Sequence, residues 1–119
     1  MIKLKIEEND FQLCPKFSKT FSILGRKWNG LIIEVLLKEG PQRFKDLAHK
    51  VSKCSDRVLV ERLKELEEEQ IVKKVPLDSC SSCRNMYELT ERGMDLKDVM
   101  TAVHHWSDKW YTLAECNEK

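Results

Sequence analysis

The feature that most constrains this chain is a change of hydrophobic period just after residue 66. Leu59, Leu63 and Leu66 recur at the spacing of one helical face. Beyond Glu67-Glu68-Glu69 the pattern becomes two short strand-like runs, Ile71-Val72-Lys73-Lys74-Val75-Pro76-Leu77 and Asn85-Met86-Tyr87-Glu88-Leu89, separated by a polar loop over 78–84. Ser55 stands where it can cap the helix, and Asp56 lies in the first turn, where the helix dipole favours negative charge.

The region before this helix is also helical. Phe17, Phe21 and Leu24 share a face, and Gly25 follows as a helix stop. A second helix is expected to carry Trp28, Leu31, Ile32, Val35 and Leu36 on one stripe. It ends at Gly40-Pro41, where glycine accepts a left-handed cap and proline cannot continue the helix. Phe44, Leu47, Ala48 and Val51 mark a short third helix, and Ser52-Lys53-Cys54 reads as a tight turn. Thr90 is expected to cap one long final helix bearing Leu96, Val99, Val103, Trp106, Trp110 and Leu113. The fold class is therefore mainly α with a small β-hairpin. Two short helices joined by a turn and followed by a hairpin make a winged helix-turn-helix. The helix-turn-helix spans about 43–69 and the wing about 71–89 of a single domain over 1–119.

Charge along the chain suits a polyanionic partner better than its total does. The whole chain carries +1, but from Arg43 to Lys64 seven basic residues face three acidic ones, a local balance of +4. In this architecture the second helix of the pair enters the DNA major groove and the hairpin lies over the backbone or minor groove. At about 100° per residue, Arg57, Val60, Glu61 and Lys64 oppose the leucine face. Arg57 can pair with a guanine edge, Glu61 can accept from cytosine and Val60 can touch a thymine methyl. An apolar Val60 on a solvated helix face otherwise has no explanation. Arg43, Lys45 and Lys53 flank this face, and Lys73, Lys74 and Arg84 supply the wing. Arg62 lies nearer the buried boundary, where it either anchors a phosphate or braces the fold.

Several function classes are excluded. No apolar run approaches a membrane span, since Glu34 interrupts the longest, and the first residues lack the apolar core of a signal peptide. A cytoplasmic protein with no membrane partner is expected. No phosphate loop, paired-carboxylate motif or Ser/His/Asp arrangement suggests an enzyme, and no cofactor or metal is expected.

Cys14-Pro15, Leu24-Gly25-Arg26-Lys27-Trp28, Gly40-Pro41-Gln42-Arg43-Phe44-Lys45-Asp46-Leu47, the segment Leu59 to Glu67, and Tyr87-Glu88-Leu89-Thr90-Glu91-Arg92-Gly93 together resemble the HxlR-type family of bacterial winged-helix regulators. The resemblance runs from Cys14 to about Trp110. It implies a homodimer on two-fold-related half-sites of a double-stranded DNA operator, repressing or activating nearby genes. It also implies that the first and last helices, about 1–24 and 94–114, form much of the dimer interface. Some members sense oxidants or electrophiles through cysteine. This chain departs from the family pattern at Val60, where relatives often carry a small hydroxyl residue, and in its wing thiols, where a Pro-rich stretch is common.

The residues themselves also point to a dimer. Leu96, Val99, Val103, Trp106, Trp110 and Leu113 follow the alternating three-and-four spacing of a coiled-coil seam. The two tryptophans offer roughly 150–250 Å² of buried surface each. Phe17 and Phe21 would add the first helix to the interface. The alternative is that the last helix packs on its own domain.

Five cysteines in a reducing compartment are inert, metal-binding or redox-active. Cys14 precedes Pro15 at a helix start, where the dipole favours a thiolate; otherwise it is a buried, unreactive side chain. Cys54 adjoins the recognition helix and is a candidate partner. Cys80 and Cys83 sit at the ends of a turn short enough for a reversible disulfide, and they supply half the ligands of a zinc site. A C-x-x-C thiol oxidoreductase is the competing class, but its motif belongs at a helix N-terminus and this one lies between strands.

Overall fold

The computed structural model describes residues 11–76 and 85–116. Along them run α1 (Pro15–Leu24), α2 (Asn29–Glu39), β1 (Gln42–Arg43), α3 (Phe44–Lys50), α4 (Asp56–Glu68), β2 (Val72–Pro76), β3 (Asn85–Leu89), α5 (Glu91–Met94), α6 (Lys97–Trp110) and α7 (Leu113–Cys116). The helix pair and hairpin occur in the expected order. The hairpin is part of a three-stranded antiparallel sheet in the order β1-β3-β2, with Gln42 opposite Tyr87 and Val72 opposite Leu89.

One core serves the whole helix-turn-helix. Ile32, Ile33 and Leu36 of α2 meet Leu47 of α3, Leu59, Leu63 and Leu66 of α4, and Ile71, Val72 and Leu89 at the base of the hairpin. The stripe on α2 is rotated from the expected one: Ile33 is fully buried and Leu31 is 54% exposed. Both neighbours of Ile32 are apolar, so periodicity alone does not say which turns inward. Trp28 is not helical either. It precedes α2 at φ 82, a costly conformation for a bulky residue. Packing of its ring on the core, and Lys27 Nζ 5.1 Å from the ring centroid, accompany that turn. Buried Asn29 fastens the same junction by donating Nδ2 to the Ile23 carbonyl at 2.9 Å.

The C-terminal region corrects a second expectation. Thr90 does cap a helix, accepting the Gly93 N–H at 3.1 Å, but that helix is only α5. Leu96 N–H then donates to the Gly93 carbonyl, three residues back, and α6 starts afresh at Lys97. Gly93, just before the break, has poor helix propensity and packs so closely that a Cβ there would lie 2.3 Å from the Ile71 carbonyl. Leu96 packs on the domain's own core, and Leu113 lies beyond a second break in α7. The continuous outer seam is therefore Val99, Val103, Trp106 and Trp110.

Candidate nucleic-acid interface

Helix α4 is held by its capped start and its buried leucines. Ser55 accepts the Val58 N–H at 3.2 Å, satisfying one of the orphan donors of the first turn. With Leu59, Leu63 and Leu66 fully inside, Arg57, Val60, Glu61 and Lys64 are all exposed, and Val60 keeps 49% of its surface in solvent. The four residues expected on one groove-facing strip are thus on one exposed face.

Arg62 belongs elsewhere. Its side chain is only 14% exposed, and Nε donates to the Lys27 carbonyl at 3.0 Å. It braces α4 against the α1–α2 junction, one of the two roles its boundary position allowed. Arg26 Nε reinforces the same contact from the other side, 3.6 Å from Glu65 Oε1.

The flanking cations divide in a similar way. Lys45 and Lys53 are exposed. Arg43 is half-buried, its backbone N–H donating to Asp46 Oδ2 at 3.1 Å and its guanidinium Nε 3.5 Å from the same oxygen. The Arg43 backbone N–H holds the Asp46 carboxyl below the usual carboxylate range, and the guanidinium adds to the effect. Lys50 was not singled out as a contact from the sequence. Its ammonium donates to Oε1 of the buried Gln42 at 3.1 Å, which fixes a cation at the C-terminal end of α3. The only sequence signal for it was the basic balance of the stretch.

On the wing, Lys73 and Lys74 lie on opposite faces of β2, as strand alternation requires. Lys73 Nζ is 3.5 Å from Glu88 Oε2, its register partner, whereas Lys74 stands opposite Tyr87 and is exposed. Burial pushes the Tyr87 phenol above its ordinary range. Arg84, Cys80 and Cys83 lie outside the described residues.

An HxlR-like helix-turn-helix family model matches residues 23–115, which takes in α2 to α6, both strands of the wing and all but the last residue of α7. The chain belongs to the HxlR-like helix-turn-helix family. It is a transcriptional regulator. The HTH-type transcriptional regulator YodB of Bacillus subtilis is 42% identical over 98 residues, 82% of this chain and 86% of its own. The structure of reduced YodB superposes with a TM-score of 0.73 at 41% identity, covering 83% of this chain and 95% of that one. Quinone-bound YodB gives 0.71 at 42% identity, covering 82% and 100%.

Two further features of this HxlR-like chain bear on regulation. Cys14 is the N-cap residue of α1, exposed, with Pro15 at the first helical position and no hydrogen bond from its side chain to the helix end. Cys54 is the reverse case: it is buried, its thiol donates to the Ser55 carbonyl at 3.6 Å, and burial pushes its pKa up. A thiol in that setting is a poor nucleophile, which sets Cys54 apart from Cys14. Cys116 is exposed on α7.

The second feature is apolar surface. α1 buries none of its residues, with Phe17 and Phe21 in contact at 4.9 Å between ring centroids and both open to solvent. On α6, Val99, Val103, Trp106 and Trp110 are all exposed, the two tryptophans by 57% and 61%. His104 Nε2, 2.6 Å from Glu34 Oε2, ties α6 to α2. No described helix is long and apolar enough to cross a membrane.

Proposed function

We propose that the chain works in the cytoplasm as a homodimer on a double-stranded DNA operator with two-fold-related half-sites, reading base edges with α4. The observation that carries this reading is the exposed strip Arg57–Val60–Glu61–Lys64, backed by a fully buried leucine face. Three charged residues and an aliphatic one at major-groove spacing match donor, acceptor and methyl groups on base edges. Lys45, Lys53 and Lys74 meet the phosphate backbone. A titration of the protein against its own promoter region, followed by anisotropy at fixed salt, tests this. Saturable binding that survives excess unrelated DNA supports it, and binding no tighter than to random duplex sinks it.

The dimer rests on the apolar seam of α6 and on Phe17 and Phe21 of α1. Exposed aromatic surface of that extent on a small regulator marks an interaction site, and two-fold operators call for paired readers about 34–36 Å apart. Val103→Glu is expected to give monomers in sedimentation and to weaken operator binding.

Thiol control through Cys14 is the regulatory part of the proposal. An exposed cysteine at the N-cap position of α1, beside the apolar face of that helix, is placed so that a modification there alters how two subunits meet. YodB, the relative above, has been seen both reduced and quinone-bound. Addition of the Cys14 thiolate to a benzoquinone ring forms one C–S bond at the expense of a ring C=C π bond; one oxygen takes a proton from water and the other the proton of the attacked ring carbon, leaving a hydroquinone thioether. Benzoquinone is expected to lower operator affinity of the wild type and of Cys80→Ser/Cys83→Ser, but not of Cys14→Ser. A silent wing variant with a responsive Cys14→Ser would move the sensor to the wing.

A further inference from the structure

A cavity of about 210 Å³ lies where α1, the end of α4 and the α5–α6 turn meet. Its floor is apolar, built from Ile23, Leu24, Ile71 and Leu96. Its rim is charged. Lys19 Nζ stands 3.2 Å from Glu69 Oε2, and Arg92 Nη1 donates to the Glu69 carbonyl at 2.9 Å. One cation, Lys19, thus faces the Glu69 carboxylate, and a second, Arg92, holds the backbone carbonyl of the same residue at the mouth of an apolar hollow, a setting that suits a small-molecule site.

The Glu69 carboxylate is a poor occupant of that mouth. Glu69 is the C-cap of α4, at the negative end of the helix dipole. It also follows Glu65, Glu67 and Glu68. Its pair with Lys19 is exposed to solvent, where such pairs contribute little. A carboxylate arriving from solution meets Lys19, with the Arg92 guanidinium also lining the cavity, without being anchored to that helix end. An apolar body attached to it would cover the four floor residues.

We propose that this cavity binds a small organic carboxylate with an aromatic or branched aliphatic body, its head group replacing Glu69 on Lys19. Occupancy frees one of the ties between α1 and α4, leaving Arg26–Glu65 and Arg62–Lys27 in place. The consequence for operator binding rests on the function proposed above; the binding site itself does not.

Benzoate titrated into the full-length chain by ligand-observed NMR tests it. The expected Kd is on the order of 1 mM, as suits a fragment of this size. The neutral isostere benzamide and the variant Lys19→Met should each bind about tenfold more weakly, for loss of a charge-assisted contact. Thr20→Phe, an exposed change on the cavity wall, should abolish binding with no loss of helicity. Absence of saturable binding overturns the proposal, as does a Kd unchanged in both variants. A benzoate affinity that falls as protein concentration rises also overturns it, because a second copy then fills the cavity. A chain that binds benzoate but no DNA would defeat the functional reading and leave this one standing.

Discussion

Arg62 offers the sharpest separation between a residue that reads DNA and one that holds the reader in place. Its Nε donates to the Lys27 carbonyl at 3.0 Å from a side chain only 14% exposed. Arg62→Met keeps much of the apolar stem and deletes the donor, leaving that carbonyl without this partner. A hydrogen bond from a charged group contributes about 1.5–3 kcal/mol. The contact between Nη1 and Glu61 Oε1, at 3.8 Å and with Glu61 exposed, adds close to nothing. For a chain of 119 residues, the usual unfolding entropy makes each kcal/mol about 4 °C in Tm. The expected loss is therefore about 6–12 °C, read by circular dichroism at one fixed protein concentration because association shifts Tm. Operator affinity below the melting range should stay within about twofold of wild type, since no phosphate contact is removed. An unchanged Tm, together with affinity lost equally on all sequences and a salt slope lower by about one, would make Arg62 a backbone contact and refute the brace.

Arg57→Ala is expected to weaken operator binding by about 1–3 kcal/mol and to relax base choice at one position, while Lys74→Ala weakens all duplexes alike. Competition titrations with single-base operator variants separate the two, and an Arg57→Ala protein of unchanged preference would dislodge α4 from the groove. Gly93→Ala would place a Cβ 2.3 Å from the Ile71 carbonyl and 2.9 Å from Leu89 Cδ2, so a destabilisation of about 3 kcal/mol is expected from denaturant midpoints. A midpoint equal to wild type would mean that the α5 turn yields freely. Because burial raises the Cys54 pKa, iodoacetamide at mildly alkaline pH should label Cys14 and Cys116 well before Cys54. Mass spectrometry showing Cys54 labelled as fast as the others would contradict its burial.

The sequence by itself determined whatever depends on near neighbours. The leucine period of α4, its Ser55 cap, the stop at Gly40, which stands at φ 78, and the two strands of the wing each arise within a few residues. So does the exposed strip of α4: once the helix is placed and its apolar side faces inward, geometry assigns Arg57, Val60, Glu61 and Lys64 to the opposite side. Only the tertiary structure decided the rest. A two-residue strand has no period, so β1 exists because Gln42 and Arg43 meet β3 across more than forty positions. The choice between Leu31 and Ile33 was made by where α3 and α4 lie against α2. The break between α5 and α6, where the Leu96 N–H turns back to the Gly93 carbonyl, takes Leu96 out of the outer seam and onto the core. Until α4 is packed, Arg62 reads as either a phosphate anchor or a brace and Cys54 as a candidate reactive thiol. Docking then gives the arginine a carbonyl 35 residues away and removes the thiol from water, because a contact between distant segments leaves no mark in the local pattern of either.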